Sequence, residues 1–343
     1  MSQDNWQPQE AVLEETSAPP QAGFFKRLSS KRALIAWALL TPMALGVIVF
    51  FIYPLIMTVY YSMTAYNMFQ PPKWNDYANW QFLLTDVKVR KAATNTLWFV
   101  LVMVPARVIS AMFVASVLTR ARMASGVFRT LFYLPALIPP AASVIAFVQM
   151  LNPATGPVNA VLDKISLWLS AIGINIDLHL GWFTSPVWSK PALAFLGLWV
   201  VGDIMVIFLA SLLDVPVEQY EAAELDGAGN ISRFRFVTLP NMQPVILFAA
   251  VNGIIGSLQY FAEPAVAAAL AQNKGTVGGQ FAGFLGYPNQ STLTYAQYLY
   301  VQAFGYHKLG YASALAVLMF IVSAIAIFLL LRRFSEFSPE VAS

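Results

Sequence analysis

The sequence predicts an all-α, polytopic membrane protein with six spanning helices and both termini cytoplasmic. Three observations carry that reading. Hydrophobic residues make up 58% of the chain and charged residues only 11%, far too little charge to cover a soluble protein of this size. The apolar residues come in long blocks rather than amphipathic stripes, as in helices surrounded by lipid. The short alternating segments of a transmembrane barrel do not occur. The net charge of +3 is small, and no nucleic-acid partner is expected. With no cysteine, disulfides, Cys-ligated zinc and thiol catalysis are excluded. The two histidines, His179 and His307, lack a partner at metal-ligand spacing.

Residues 1–32 are polar, with Asp4, Glu10, Glu14, Glu15 and Pro19-Pro20, and read as a disordered cytoplasmic tail rather than a signal peptide. Lys26, Arg27, Lys31 and Arg32 then precede the first apolar run, which argues for a cytoplasmic start. The first span covers about 33–63 and contains Pro42 and Pro54, where it is expected to bend. Residues 64–94 are polar and aromatic and are placed outside. The second span covers about 95–119. A short inside loop with Arg120, Arg122 and Arg129 leads to a third span at about 130–151. Pro135, Pro139 and Pro140 remove backbone donors there, so this helix is expected to be broken or kinked. Irregular backbone at membrane depth is tolerated only in protein or beside a water-filled cavity.

Residues 152–189 include an apolar stretch, 166–184, that also holds Asn175, Asp177 and His179. Were it a span, the positive clusters further on would fall outside. It is read as an external loop with one or two short helices. The fourth, fifth and sixth spans cover about 191–213, 244–262 and 309–331. A long inside loop, 214–243, separates the fourth and fifth. A mixed region, 263–306, precedes the sixth, and a cytoplasmic tail, 334–343, follows it. On this threading the inside segments hold 11 Lys and Arg, the outside segments eight, and the arginines cluster in the short inside segments.

No Walker A sequence or Gly-rich turn after a strand occurs, so the chain is not expected to bind ATP. No nucleophile–base–acid set suggests catalysis, and no metal or cofactor site is expected. Two ionisable residues lie within spans: Arg107 in the second and Asp203 in the fourth. A charge at that depth costs at least ~2.5–3.5 kcal/mol on insertion scales and faces the bundle interior. Both lie at similar heights, so they either pair structurally or line a polar path; the readings are not exclusive. Asn252 and Gln259 fall on one face of the fifth span, with Tyr260 and Glu263 beside them. Trp199 and Tyr260 offer aromatic faces for a sugar.

The loop at 214–243 has more pattern than solvation requires. Pro216 can start a helix, Glu218 and Glu221 suit its positive end, and Gly227 ends it. Ala222, Ala223 and Ala228 permit close approach by another surface. The run Glu221-Ala222-Ala223, three residues, Gly227, nine residues, Val237, one residue, Leu239-Pro240 resembles the signature of the integral-membrane subunits of bacterial binding-protein-dependent ABC importers. The signature has Ile where Val237 stands. The likeness extends over Trp199–Gln219 and Asn289–Leu318 and covers about 33–333. It points to the carbohydrate-uptake, MalF/UgpA-like branch.

The resemblance implies a type I ABC importer permease core that pairs with a second homologous permease. It implies two copies of an ABC ATPase, which bind ATP and Mg, on the cytoplasmic side, and an extracytoplasmic solute-binding protein that delivers a sugar. The helix around Glu221, Ala222, Ala223, Asp226, Gly227 and Ala228, with Leu239 and Pro240 behind it, would be the coupling element. Sugar permeases often carry Gly-Gly-Pro after the fifth span, whereas Gly278-Gly279 is followed here by Gln280. Arg107 and Asp203 are not shared family features and point to this chain's own solute. The alternatives are an ABC permease for another solute such as glycerol phosphate, with Arg107 as an anion contact, or an independent secondary transporter.

Overall fold

The computed structural model describes residues 31–120, 125–272 and 283–335. Most of the N-terminal tail, nearly all of the C-terminal tail, Arg122 and the Lys274–Gln280 stretch lie outside the described residues. The chain divides into a unit ending at Met57 and a unit beginning at Thr58.

In the first unit α1 (Lys31–Val47) runs straight through Pro42. The irregularity falls further on, at a π-helical run, Ile48–Ile52, before α2 (Tyr53–Ser62). Pro54 has no N–H to donate, and the Tyr53 N–H reaches back to the Ile48 carbonyl, one residue further than in an α-helix.

Helix α2 runs on into the second unit, where a two-stranded antiparallel hairpin follows, β1 (Thr64–Ala65) and β2 (Lys73–Trp74), and then α3 (Ala78–Thr85). Helix α4 (Val87–Arg120) follows and organises everything after it. It begins eight residues before the boundary read from hydropathy, because Lys88, Arg90 and Lys91 interrupt the apolar run without interrupting the helix. One of its stripes, Leu101, Ile109 and Phe113, is exposed. The opposite stripe, Phe99, Met103, Ala111 and Ala115, is buried. Helical spacing separates the two faces.

Among the described residues, three pairs of apolar segments meet at a sharp bend. Helices α5 (Ser125–Leu137) and α6 (Pro140–Met150) meet at 97°, where Pro139 and Pro140 prevent a continuous ladder. After α7 (Pro157–Ala171), helices α8 (Ser189–Trp199) and α9 (Gly202–Asp214) meet at 47°. Next come α10 (Val217–Leu225), α11 (Asn230–Arg233), a π-helical run (Phe234–Thr238) and α12 (Leu239–Asn241). The segment Asn230–Asn241 meets α13 (Gln243–Leu258) at 67°. Helices α14 (Ala262–Ala271) and α15 (Tyr295–Tyr300) precede a π-helical run (Val301–Gly305) and the long α16 (Leu309–Ser335). Counting each bent pair once, up to six segments among the described residues are long and apolar enough to cross a membrane.

Helix α4 contributes to three buried clusters. Phe99 and Met103 pack with Val144, Phe147, Leu193 and Leu196. Ala111, Ala115 and Leu118 pack with Met205, Phe208 and Met242. Val89 and Ala92 pack with Leu293, Tyr295 and Leu315. Small residues at 111 and 115 let α9 approach closely, the usual basis of helix association in lipid. Gly202 is another close approach, since a Cβ there would lie 2.2 Å from the Phe132 carbonyl oxygen.

The segment around 287–300 owes its backbone order to side chains. Asn95 Nδ2 donates to the carbonyls of Gln290 and Leu293 at 2.8 and 2.9 Å. The Tyr295 N–H donates to Thr96 Oγ1 at 2.8 Å. At its edge Asp86 accepts hydrogen bonds from the Tyr298 and Tyr311 hydroxyls. Burial works against the Asp86 charge, but these bonds, with the backbone N–H groups of Lys88 and Val89, hold its carboxyl below the ordinary value of 3.8.

Two outcomes follow. Gly202→Ala overpacks the contact with Phe132, an effect of about 1–3 kcal/mol, and lowers the melting temperature of the detergent-solubilised protein. Gly126→Ala, with open space around the added methyl, leaves it unchanged. Because its folded value is depressed, Asp86 stabilises the fold above pH 3.8 and loses that contribution as pH falls through the depressed value. Asp86→Asn is therefore less stable than the wild type at neutral pH in thermal melts, and the gap narrows as the pH is taken below 3.8.

Candidate functional site

Two places carry the residues singled out from the sequence: a cavity inside the second unit and a helix on its surface.

The cavity has a volume of about 270 Å³. Its walls come from the broken parts of the helices: Ile138 and Pro140 at the α5–α6 bend, Gly197 and Val200 at the α8–α9 bend, Tyr260 between α13 and α14, and Glu263 in the first turn of α14. Arg107 enters from α4, one turn from Met103 and one turn from Ala111. It therefore lies between two apolar clusters. Its Nη2 donates to Asp203 Oδ1 at 3.3 Å. The bend at 200–201 puts Asp203 in the first turn of α9, where the N-terminal end of a helix favours a carboxylate. Two polar atoms at the cavity remain buried without a hydrogen-bond partner: Arg107 Nε and Ser143 Oγ. An unmet buried polar group costs about 1–3 kcal/mol.

The other sequence-derived residues divide. Tyr260 is buried and packs edge-on against Phe99, with ring centroids 5.1 Å apart. Glu263 is half-buried on the cavity wall. Trp199 lies outside that wall and packs against Phe147 at 5.1 Å. Asn252 bonds within its own helix, to the Phe248 carbonyl. Gln259, seven residues on from Asn252, is the C-cap of α13, its N–H still bonded to the Ile255 carbonyl at 3.1 Å, and the chain leaves the helix there. The span read from the sequence runs on to 262, which hid that end. Sequence reasoning missed Ser143, because serine is common in membrane helices. Its position four residues beyond Pro139 was the available signal.

The surface helix is α10. Pro216 stands at its N-cap and Glu218 in its first turn. At its other end the Gly227 N–H bonds to the Glu224 carbonyl at 3.0 Å and the Ala228 N–H to the Ala223 carbonyl at 2.9 Å. This double closure is a Schellman stop. Gly227 has φ +78°, a left-handed conformation that glycine adopts without penalty. Glu221, Ala222, Asp226 and Gly227 are exposed, and Ala223 and Ala228 half-exposed. Leu225 and Ile231, which the sequence reading passed over, are 89% and 83% exposed beside them.

The exposed helix is braced from behind. Arg233 Nη1 bonds to Glu224 Oε2 at 2.9 Å, the Tyr220 hydroxyl meets Thr238 Oγ1 at 2.9 Å, and Asn241 Nδ2 donates to Gln219 Oε1 at 2.8 Å. Val237 and Thr238 are buried, Leu239 is half-buried and Pro240 exposed. Thus α10 is tied to the stretch that leads into α13.

Bent apolar helices around a mostly apolar cavity that holds a few polar groups, with a rigidly stopped helix exposed at one end, are the build of an integral membrane protein of the helical transport class. Residues 96–336 match the family described as binding-protein-dependent transport system inner membrane component, and the chain belongs to that family. The probable ABC transporter permease protein YesP of Bacillus subtilis (strain 168) is 31% identical over 306 residues, 89% of this chain and 92% of the relative. The lactose transport system permease protein LacF of Rhizobium radiobacter is 31% identical over 297 residues, 85% of this chain and 91% of the relative. The fold is shared with a chain in the crystal structure of a bacterial ABC transporter involved in the import of the acidic polysaccharide alginate. That chain is 20% identical, with a TM-score of 0.65, and the match covers 92% of this chain and 99% of that one.

A double-mutant cycle measures the Arg107–Asp203 pair. Arg107→Met leaves Asp203 without its cation, and Asp203→Asn leaves Arg107 without its anion. Each single variant is expected to melt below the double variant, with a coupling on the order of 1 kcal/mol read from melting in detergent. Additive losses would mean that the pair contributes no coupling.

Proposed function

We propose that this chain is the permease subunit of an ATP-driven ABC importer of saccharides and forms half of the translocation pathway. In this reading it is a six-span permease domain over about 33–333, in the bacterial cytoplasmic membrane, with both termini and the 214–243 loop inside. It works with a second homologous permease, two copies of an ABC ATPase and an extracytoplasmic solute-binding protein. ATP and Mg are held by the ATPases, and this chain carries no ATPase site.

The observation that carries the proposal is the exposed helix Val217–Leu225 with its glycine stop, tied through Tyr220–Thr238 to the stretch before α13. A helix presented on small residues, rimmed by exposed Leu225 and Ile231, suits docking into a groove of a partner. Family membership supports an ATPase as that partner. Relatives named for lactose and for arabinooligosaccharides support a saccharide as the solute. A solved alginate transporter of the same fold is described in complex with an alginate pentasaccharide-bound periplasmic protein, which supports a binding protein on the other side. In the proposed cycle, closure of the ATPases moves α10, and the hydrogen bonds behind it carry the movement to α13 and the cavity wall.

Gly227→Leu tests the docking role. A leucine at φ +78° meets strain of about 1–3 kcal/mol. The variant is expected to insert and fold, with its melting temperature lowered only by that local strain. Solute-stimulated ATPase activity in proteoliposomes carrying the whole complex is expected to fall about tenfold. Undiminished stimulation in that variant would count against α10 as the coupling element.

A further inference from the structure

The charges around the cavity do not balance, and this bears on the solute. The charged side chains on its wall are Arg107 and Glu263. Arg107 is already paired: its Nη2 lies 3.3 Å from Asp203. Glu263 has no basic group within ion-pair distance among the described residues. One guanidinium therefore stands beside two carboxylates, and the carboxylate without a cation is the one on the wall. Helix breaks surround it and apolar residues such as Met103, Val104 and Leu196 flank it. This burial pushes its carboxyl above the ordinary value, against its own backbone N–H and the Arg107 charge. Once ionised, its charge is poorly screened by water.

The hydrogen-bonding groups have their own pattern. Ser143 is 3% exposed, and its Oγ has no partner. Arg107 Nε is a buried donor, also unpartnered. Glu263 offers acceptors. A donor, an acceptor and a hydroxyl that serves as either, around about 270 Å³, match the hydroxyls of one sugar ring. An anion would meet a guanidinium whose charge Asp203 already answers and a carboxylate that repels it.

We propose that this cavity admits neutral saccharides and rejects acidic ones, with Arg107 Nε, Ser143 Oγ and the Glu263 carboxylate binding the hydroxyls and Glu263 supplying the repulsion. The inference rests on the saccharide-importer reading and deepens it. It separates this chain from the alginate importer that shares its fold, so solute charge is set by side chains on a common backbone. It also opposes a phosphorylated solute held by Arg107.

The test uses the complete complex, with its binding protein, in proteoliposomes. The probes are neutral di- and trisaccharides, each paired with the same sugar oxidised at a primary hydroxyl to a carboxylate. Uptake of both members is compared between the wild type and Glu263→Gln. The same binding protein serves both, so its own preference cancels in the ratio of ratios. The neutral member is expected to be favoured in the wild type, and Glu263→Gln is expected to move the ratio about tenfold toward the acid, since like-charge contacts alter discrimination by at least that much. Ser143→Ala, which keeps the charge, is expected to raise the KM for the neutral sugar several-fold without moving the ratio. A ratio unchanged by Glu263→Gln, or a wild type that prefers the acid, would overturn the charge assignment. Uptake of no saccharide of either kind would overturn the saccharide-importer reading instead.

Discussion

A helix that breaks inside a membrane leaves N–H and C=O groups that lipid cannot satisfy, and most of this structure follows from that constraint. Breaks at 138–139, 200–201 and 259–261 all face one cavity. The polar side chains at the same level are part of the same solution. Asp203 begins a helix because its span has broken, and Arg107 reaches it from the unbroken α4. Without the breaks the bundle would be a set of apolar rods with no reason to hold a guanidinium.

Helix α4 is the fixed member against which the rest is arranged. Near one end Asn95 and Thr96 hold the backbone of the 287–300 segment, and Asp86 receives two tyrosine hydroxyls. Further along, Ala111 and Ala115 lie flush against α9. Between these contacts lies the cavity. The polar end is directional and hydrogen-bonded, whereas the small-residue end is a surface over which a neighbouring helix can slide. The arrangement combines a latched end with a compliant one.

Much of this was legible in the sequence. Apolar blocks marked the long helices, Pro139-Pro140 marked the sharpest bend, and the Glu221–Pro240 spacing marked the surface helix and its stop. Other features left little trace. The bend at 200–201 has no proline; it follows from packing of Gly202 against the Phe132 backbone, a tertiary contact. The end of α13 at Leu258 fell inside the stretch read as the fifth span, 244–262. Ser143 and the orphaned face of Arg107 became visible only once three distant segments were brought to one wall.

The π-helical run Phe234–Thr238 adds a constraint of a different kind. A single residue more or less in a helix turns everything beyond it by about 100°, and a π-turn is an accommodated extra residue. That run stands between the stop at Gly227 and the start of α13. The number of residues there sets the compass bearing of the exposed helix relative to the cavity wall. An insertion or deletion that the run could not absorb would leave every side chain of the surface helix intact and aim it in another direction. In this stretch the count of residues carries information that no single residue does.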